Sequence, residues 1–377
     1  MIKFNKPYFT GNELENIRKA YEYGVMSGDG KFTADCQNNL KNLTGTFQVL
    51  LTHSCTAALE MTAFLSNIKE GDEIIMPSYT FVSTANAFVL RGATPVFVDI
   101  DPKTQNINPE EIKRVINKKT KAIVVVHYAG VACDMDSILK IAKENSLLLI
   151  EDAAQGIYST YKNKQLGSIG DLGTYSFHET KNINCGEGGA LLINSEKFLN
   201  RAFVLWEKGT NRHNFNIGKV SKYTWIDLGS SYLPGEITAA FLLAQLEKGY
   251  EATQKRLKSW NIYHKEFECL QKTEKLTIPY IPKYAGHNGH IYYLKLKSED
   301  SRNKLMDLLK KNSIMALTHY EPLHISKAGI KYGKYYYDLP ETIKTATTLL
   351  RLPLHNNIKE DDIGKVIEIV HKFFKQK

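Results

Sequence analysis

The sequence predicts an α/β fold in which a large, mostly parallel sheet is followed by a smaller α+β domain. From about residue 45 to about residue 195, short apolar runs alternate with helical stretches. Helices between successive strands are typical of right-handed crossovers in a parallel sheet. The apolar runs also lack an alternation of polar residues, which indicates strands that are buried on both faces.

Strands and helices are predicted in strict alternation through this first region. The strands are predicted in QVLLTH, EIIM, TPVFVDI, KAIVVVHY and SLLLIEDAA. The helices between them are predicted in TAALEMTAFLSN, TANAFVLRG, PEEIKRVIN and DMDSILKIAKEN. Further helices are predicted after Asn194, in SEKFLNRAFVLWEKG and in the long stretch that begins with GEITAAF.

The last part of the chain has a different pattern. A strand is predicted in HIYYLKLK, among helical stretches such as SRNKLMDLLKKN and DDIGKVIEIVHKFF. A chain of 377 residues is too long for one small core, so we expect two domains. We place a large α/β domain at residues 1–255 and a small α+β domain at residues 256–377.

The composition excludes several classes of protein. No apolar run is long enough to span a bilayer and no apolar signal core is present, so we expect a cytoplasmic protein. The five cysteines form no CxxC pair, which argues against a disulfide framework or a metal site. The net charge of +9 is dispersed along the chain. We therefore expect no nucleic acid as a partner, whereas a small anionic ligand is compatible with this charge.

The first predicted strand leads into THSCTAALE, a turn rich in Ser and Thr that opens a helix. Free backbone N–H groups at the positive end of a helix form a site for phosphate. Capping of the helix by Ser54 or Thr56 is an equally common reason for such residues, so the motif alone is ambiguous. No GxGxxG follows the strand, which means that a dinucleotide fingerprint is absent.

Two carboxylates, Glu151 and Asp152, directly follow the apolar run LLLI. The carboxyl ends of parallel strands are where α/β sheets bind ligands, although a strand-end cap or a surface pair would look the same in sequence. Beside an apolar wall, Asp152 needs a cationic partner, and the protonated nitrogen of a pyridine ring would be one. Gln155 would then be placed to donate to a neighbouring oxygen of the same ring.

Lys181 lies between the strand-like run TYSFH and the glycine-rich GEGG. Glycines in such a turn let the backbone approach a bound group closely. In a semi-buried pocket the pKa of a lysine ammonium falls, and the amine becomes a nucleophile toward a carbonyl. A phosphate site, a carboxylate and a lysine, in this order, are expected of an enzyme that uses pyridoxal 5′-phosphate (PLP).

The strings SFHETKN, GEGG and EDAAQG resemble the DegT/StrS family of sugar-nucleotide aminotransferases. The resemblance runs nearly end to end and includes LLTHSCTAALEM, MPSYTFVSTANAFVLRGA, VHYAGVACDMD and KYTWIDLGSSYL. It implies the PLP-dependent aspartate aminotransferase-like fold, called fold type I. The longer strings are most similar to the subgroup that makes dTDP-4-amino-4,6-dideoxygalactose.

The resemblance implies a role for each cofactor contact. Lys181 would bond covalently to the cofactor and then move the proton between substrate and cofactor. Asp152 would pair with the ring nitrogen, and Gln155 would contact the ring hydroxyl. The other contacts would be a stacking ring, from Phe81, and phosphate ligands, from Cys55, Thr56 and Ser176.

Contacts with the substrate are implied at two further places. Glu187 matches a family position near the substrate, and His178 lies at the same strand end as Lys181. THYEPLH resembles a stretch of the small domain that faces the substrate. Its candidates for the sugar or the donor carboxylate are His319, Tyr320 and His324, with a purely structural role as the alternative.

Two segments match those that cross between subunits in relatives, which predicts a homodimer with shared active sites. In KGTNRHNF, Asn211 and Arg212 would meet the nucleotide or the donor, with an ordinary surface loop as the alternative. In GSSYLP, Ser231 replaces an asparagine that in relatives reaches the phosphate of the neighbouring cofactor, and Leu233 replaces an arginine. The dideoxygalactose subgroup also reads GSSYL, so the departure is typical of that subgroup.

The implied function is transfer of the amino group of L-glutamate to C4 of dTDP-4-dehydro-6-deoxy-D-glucose. The products would be dTDP-4-amino-4,6-dideoxy-D-galactose, for a glycan such as enterobacterial common antigen or an O-antigen, and 2-oxoglutarate. Alternatives are the gluco epimer, a 3-keto sugar nucleotide as substrate, and a non-catalytic regulatory protein that binds PLP. Related dehydratases carry histidine at the lysine position, so Lys181 argues against dehydration.

Overall fold

A seven-stranded sheet forms the centre of the computed structural model, which describes residues 1–375. The strands of the described residues are β1 (Gln48–Thr52), β2 (Glu73–Pro77), β3 (Thr94–Val98), β4 (Thr120–Val126), β5 (Leu148–Asp152), β6 (Thr160–Tyr161), β7 (Lys164–Gln165), β8 (Leu172–Ser176), β9 (Gly189–Ile193), β10 (Ala285–Gly286), β11 (Tyr292–Lys295) and β12 (Leu349–Leu352). The central sheet has the order β1–β9–β8–β5–β4–β2–β3. Strand β9 is antiparallel to both of its neighbours, and the other neighbouring pairs are parallel, which confirms the predicted mostly parallel sheet.

The helices predicted between the strands are present, and others precede and follow them. The helices of the described residues are α1 (Glu13–Glu22), α2 (Lys31–Thr44), α3 (Cys55–Leu65), α4 (Val82–Val89), α5 (Pro109–Val115), α6 (Met135–Glu144), α7 (Leu199–Trp206), α8 (Arg212–Asn216), α9 (Glu236–Glu247), α10 (Gly249–Lys272), α11 (Glu299–Lys311), α12 (Lys327–Tyr332), α13 (Pro340–Thr348) and α14 (Glu360–Lys375). The long helical stretch that begins with GEITAAF forms two helices, α9 and α10, which meet at Lys248.

Successive residues of β1 show that both faces of the sheet are covered. Val49 and Leu51 belong to one buried apolar cluster, and Leu50 belongs to another. Because side chains alternate between the two faces of a strand, an unbroken apolar run contributes to two cores. Helices α2, α6 and α9 contribute to the first cluster, and α3, α4 and α7 contribute to the second. The sheet is therefore a layer between two layers of helices.

A third apolar cluster surrounds the two-stranded antiparallel sheet of β11 and β12. Helices α10, α11 and α14 contribute to it, and Ile2 joins it from the start of the chain through a bridge to Ile314. The domain boundary between residues 255 and 256 stays a prediction, and the single helix α10 runs across that position. Through residue 375, no helix is long and apolar enough to cross a membrane.

Candidate active site

A cleft of about 540 Å³ opens at the carboxyl ends of β5 and β8. It is bordered by α3, which follows β1, and by the chain around β12. Eleven of the residues singled out in the sequence line it: Cys55, Thr56, Phe81, Asp152, Gln155, Ser176, His178, Lys181, Glu187, His319 and Tyr320. The order of strands thus brings together side chains that are far apart in sequence, at the edge where parallel sheets bind ligands.

The start of α3 forms one wall of the cleft. Ser54 caps the helix, since its side chain accepts the backbone N–H of Ala57 at 3.1 Å. The first N–H groups of a helix have no acceptor within the helix, which leaves those of Cys55 and Thr56 for an anion. Gly189 of β9 is required here, because a Cβ atom at this position would lie 2.4 Å from the nitrogen of Cys55. These residues fit a phosphate group.

Hydroxyl groups add to this phosphate site. The Oγ1 of Thr56 is hydrogen-bonded to the Oγ of Ser83 at 2.7 Å, and Ser176 ends the neighbouring strand β8. Burial raises the pKa of the Cys55 thiol well above its usual value, so that the thiol is neutral and does not repel an anion. Ser83 is a candidate that the sequence analysis did not include.

Asp152 is a buried carboxylate at the end of β5, only 4% exposed. Its Oδ2 accepts a hydrogen bond from the Thr84 hydroxyl at 2.7 Å, and its Oδ1 accepts the backbone N–H of Ala154 at 3.1 Å. Among residues 1–375, no lysine, arginine or histidine forms an ion pair with it. A buried carboxylate held by neutral donors still favours a cation, and the protonated nitrogen of a pyridine ring fits this need.

The neighbouring Glu151 points to the other face of the sheet, where it holds the chain that leads into β8. Its carboxylate accepts the backbone N–H groups of Gly167, Ile169 and Gly170 at 2.6–2.8 Å. It also bonds to the Nε2 of His127 at 2.9 Å. Of the two carboxylates in the EDAAQG motif, only Asp152 lines the cleft.

Lys181 is half-buried on the turn after β8, with its backbone N–H bonded to the carbonyl of His178 at 2.9 Å. Burial lowers the pKa of its ammonium, and the nearby Cys55 and Asp152 offset this only in part. In the part of the chain that the structure describes, its Nζ has no hydrogen-bond or ion-pair partner. A lowered pKa increases the share of the neutral, nucleophilic amine form of this lysine.

His178 and Glu187 lie together at the mouth of the cleft. The Nε2 of His178 is 3.6 Å from the Oε1 of Glu187, whose side chain is 71% exposed. The Nδ1 of the same ring is hydrogen-bonded to the Thr180 hydroxyl at 2.8 Å. Their position at the entrance is compatible with the predicted contact with a substrate.

Phe81, Gln155 and Tyr320 form another part of the lining of the cleft. The ring of Phe81 is 55% exposed and lies 6.4 Å from the ring of Tyr320. Gln155 is buried, and its Nε2 donates to the Tyr320 hydroxyl at 2.7 Å. An aromatic face and an amide beside Asp152 fit a planar heterocycle.

His324, Asn211, Arg212 and Ser231 are not brought into this cleft. His324 is 5% exposed, and its Nδ1 is bonded to the Ser78 hydroxyl at 2.7 Å, which corresponds to the structural alternative. The Oδ1 of Asn211 accepts the backbone N–H of residue 224 at 2.7 Å. The contacts of these residues within this chain are thus made outside the cleft.

Arg212 and Ser231 both contact Glu207. The Nη1 of Arg212 is 2.9 Å from the Oε1 of Glu207, and Ser231 is exposed and bridges to the Glu207 backbone. The two segments predicted to cross between subunits therefore share one surface. Their action in a partner's site stays a prediction.

Arg351, which no sequence motif singled out, also lines the cleft. It lies in β12, near the end of the chain, and it reaches the cleft only because this strand packs beside residues 317–320. Its string LLRLPLH carries no glycine turn or cluster of polar residues that would have marked it as a site.

A mostly parallel central sheet, a helix start that fits a phosphate, a buried carboxylate and an unpaired lysine together define a PLP-dependent enzyme of fold type I. The sequence model of the DegT/DnrJ/EryC1/StrS aminotransferase family matches residues 7–371. The chain belongs to this family. The family match confirms the predicted fold and the predicted cofactor.

Individual relatives carry more specific names. The chain is 32% identical to the spore coat polysaccharide biosynthesis protein SpsC of Bacillus subtilis, over 99% of this chain and 97% of the relative. It is 31% identical to the GDP-perosamine synthase of Caulobacter vibrioides, over 97% and 96%. The aminotransferase TlmJ of Streptoalloteichus hindustanus superimposes with a TM-score of 0.90 at 27% identity, over 100% and 99%. The predicted class, a sugar aminotransferase, is confirmed by the family match.

Proposed function

We propose that the chain transfers the amino group of L-glutamate to C4 of dTDP-4-dehydro-6-deoxy-D-glucose. The products are then dTDP-4-amino-4,6-dideoxy-D-galactose and 2-oxoglutarate. One observation carries the amino-transfer chemistry: a half-buried, unpaired lysine shares a cleft with a buried carboxylate that has no cationic partner. The outer strings MSGDGKFT and GSSYL support the choice of sugar.

The cofactor, when bound, supplies a carrier for the amino group and an electron sink for the carbon that loses its proton. Lys181 would bind it covalently, and its Nζ would move the proton at the reacting carbon. Asp152 would hold the proton of the ring nitrogen, and the N–H groups of Cys55 and Thr56 would bind the phosphate. Phe81 would cover the ring and keep water from the reacting atoms.

A GDP-linked keto sugar is the second candidate for the acceptor. The GDP-perosamine synthase of Caulobacter vibrioides matches almost the full length of the chain at 31% identity. The nucleotide base and the sugar would contact parts of the protein outside the cofactor site. The motifs of the cofactor site are therefore the same for a dTDP-linked and a GDP-linked acceptor. The gluco epimer and a 3-keto sugar are further outcomes that the same measurement separates.

We also propose a homodimer in which Asn211, Arg212 and Ser231 reach the partner's cleft. Large apolar side chains are exposed around these residues: Phe215, Ile217, Tyr223, Trp225, Ile226, Leu228 and Ile237. Trp225 is 76% exposed. An apolar patch of this kind is typical of an interface between proteins.

Product analysis tests the proposed function. The purified holoenzyme is incubated with L-glutamate and, in turn, with dTDP- and GDP-linked 4-keto sugars and a 3-keto sugar nucleotide. We expect turnover of the dTDP-linked 4-keto sugar, with a small proton coupling between H3 and H4 that identifies the galacto product. A large coupling identifies the gluco epimer, and turnover of only the GDP-linked sugar favours the second candidate. If glutamate does not change the absorption spectrum of the cofactor, the result would indicate the alternative of a non-catalytic protein that binds PLP.

A further inference from the structure

A second cleft, of about 890 Å³, lies beside the end of β11 and the start of the loop that follows β3. It shares no lining residue with the candidate active site. Four lysines line it, Lys103, Lys295, Lys297 and Lys344, and we call it the lysine cleft. Among the described residues that line it, Glu274 is the only carboxylate. The lining therefore carries an excess of positive charge.

Lys295 is a buried cation in the wall of the lysine cleft, only 8% exposed. Its Nζ donates to the backbone carbonyl of Pro102 at 3.2 Å. An ammonium group has three N–H donors, so two remain for another partner. Among residues 1–375, no carboxylate forms an ion pair with it. A buried cation without a paired counter-charge is costly, and an anion in the cleft would stabilise it.

The charges around Lys295 compensate its ammonium only in part. Burial lowers the pKa of Lys295 to about 8. Glu341 and Asp101 raise this pKa, whereas Lys344 lowers it further. Neither of the two carboxylates lines the lysine cleft. An anion inside the cleft would therefore add the compensation that the chain itself does not provide.

The other three lysines of the cleft are exposed, and within residues 1–375 none of them forms an ion pair. They come from separate parts of the chain. Lys103 follows β3, Lys297 follows β11, and Lys344 lies in α13. Cations that line the same cleft repel one another, so an anion between them is favoured by all four ammonium groups.

The backbone that carries Lys295 is fixed on both sides. Its N–H donates to the carbonyl of Thr277 at 2.8 Å, and its carbonyl accepts the N–H of Thr277 at 2.9 Å. On the other side, it pairs with Leu349 of β12. A donor that is already held in place loses little entropy when it binds a ligand.

The charge and size of the lysine cleft favour a diphosphate over a single phosphate. Lysine is a compact point charge that suits phosphate oxygens. A phosphate monoester carries only about −1.5 to −2 charges at neutral pH, whereas the lining has four lysines against one glutamate. The volume is within the range of clefts that hold small organic ligands, about 300–1,000 Å³.

We propose that the lysine cleft binds a small molecule with a diphosphate group, held by Lys295 inside and by the three exposed lysines around it. Two sources share this chemistry: inorganic pyrophosphate and a nucleoside diphosphate. For the second, Tyr280 offers an exposed ring in the same cleft, 5.9 Å from the Nζ of Lys103, on which a base would stack. The inference goes beyond the proposed function, because this site lies outside the candidate active site.

The experiment measures binding to the holoenzyme by calorimetry, with inorganic pyrophosphate, orthophosphate and adenosine diphosphate as probes. One variant is Lys295→Met, which removes the buried ammonium. A triple variant combines Lys103→Gln, Lys297→Gln and Lys344→Gln. Because it changes only exposed side chains, the triple variant keeps the test decisive if Lys295→Met does not fold.

The matched control combines Lys310→Gln, Lys365→Gln and Lys372→Gln, at exposed positions of α11 and α14 outside both clefts. It has the same net charge as the triple variant, so a general effect of charge is equal in the two. Any pyrophosphate bound elsewhere on the protein is common to all the variants. Differences between them therefore report on the lysine cleft.

We expect Lys295→Met to weaken binding of pyrophosphate about 10- to 100-fold, the usual size of a lost hydrogen bond to a charged group. The triple variant should weaken it about 5- to 10-fold, since exposed pairs are each weak. The control should match the wild type within about twofold. Orthophosphate should bind the wild type at least about tenfold more weakly than pyrophosphate, because it lacks the second phosphoryl group.

The variant Tyr280→Ala separates the two sources, and either result agrees with the proposal. If it weakens binding of adenosine diphosphate and leaves pyrophosphate unchanged, a nucleotide is the source. If it changes neither, and adenosine diphosphate binds no more tightly than pyrophosphate, the source is inorganic.

Four results would overturn the inference. The wild type does not bind pyrophosphate, or the cleft variants bind it as tightly as the wild type does. The control loses as much affinity as the triple variant, which indicates a general effect of charge. Orthophosphate binds as tightly as pyrophosphate, which excludes a diphosphate site. No step requires turnover, so a failure of the proposed amino transfer leaves this test unchanged.

Discussion

The side-chain amide of Gln155 donates from Nε2 to the hydroxyl oxygen of Tyr320 at 2.7 Å. Its Oε1 accepts the backbone N–H of Ala129 at 2.7 Å. Both ends of this buried amide are therefore engaged by the protein, and one Nε2 hydrogen is left for the ring hydroxyl of the cofactor. The contact joins the loop after β5 to the segment that holds Arg351.

The first prediction concerns Tyr320→Phe, which removes the acceptor for Gln155. A buried donor left without a partner costs about 1–3 kcal/mol. We expect a lower urea midpoint and weaker retention of PLP, measured by denaturation and by the cofactor spectrum after dialysis. Tyr250→Phe is the control, because Tyr250 is 68% exposed. Equal midpoints and equal PLP retention in both variants would contradict a structural link through this hydroxyl.

The second prediction concerns Asp152→Asn. The amide cannot hold the proton of the ring nitrogen as a carboxylate does, so the electron sink is weakened. By analogy with the loss of one preorganised donor, we expect a decrease of about 10²–10³ in rate. Stopped-flow absorption of the glutamate half-reaction measures it. Asp361→Asn, at an exposed position on α14, serves as the control. A rate within about threefold of the wild type would exclude the role of Asp152.

Asp152 and Lys181 could be predicted because each follows an apolar strand-like run. The carboxyl ends of parallel strands are where α/β sheets bind ligands. Neighbours on a strand face opposite sides, so only one of Glu151 and Asp152 can line the cleft, and the residue that lines it is Asp152, as predicted. Arg351 could not be predicted, because its place depends on the packing of β12 against Leu317, which is 34 positions earlier by number. Local patterns define the elements of the large sheet, and contacts over long sequence separations complete the cleft.

The third prediction concerns the stability of the apoprotein with Lys181→Met. The pKa of Lys181 is lowered by burial from 10.5, so between the lowered pKa and 10.5 the folded protein binds fewer protons than the unfolded chain. Stability therefore rises with pH through this window, and the cost of the buried charge is fully present below it. We expect the methionine variant to be more stable than the wild type near neutral pH.

The difference between the two proteins should shrink as the pH approaches 10.5, because the unfolded lysine then also loses its proton. Urea midpoints of both apoproteins, taken across the range, isolate Lys181 because all other groups are shared. Lys118→Met, at an exposed position, should show no such trend. A difference that is independent of pH would mean that the gain comes from packing alone.

The last prediction concerns shared active sites. Lys181→Ala should fold and fail to transaminate, since it lacks the amine that binds the cofactor and moves the proton. Arg212→Ala should lose activity if Arg212 acts in the partner's cleft, because its own contact here is with Glu207 and not with the cleft. A mixture of the two inactive variants, unfolded together and refolded, forms hybrid dimers. In each hybrid, one cleft has both Lys181 and a partner's intact Arg212.

We expect the mixture to recover up to about a quarter of wild-type activity, since half of the dimers are hybrids and each has one complete cleft. The control mixture pairs Lys181→Ala with Asp152→Asn, two residues that line the same cleft of one chain. Its hybrids contain one cleft without Lys181 and one without Asp152, so no cleft is complete and activity should stay at the level of Asp152→Asn. A fully active monomer by light scattering, or no recovery in the first mixture, would show that each chain works alone.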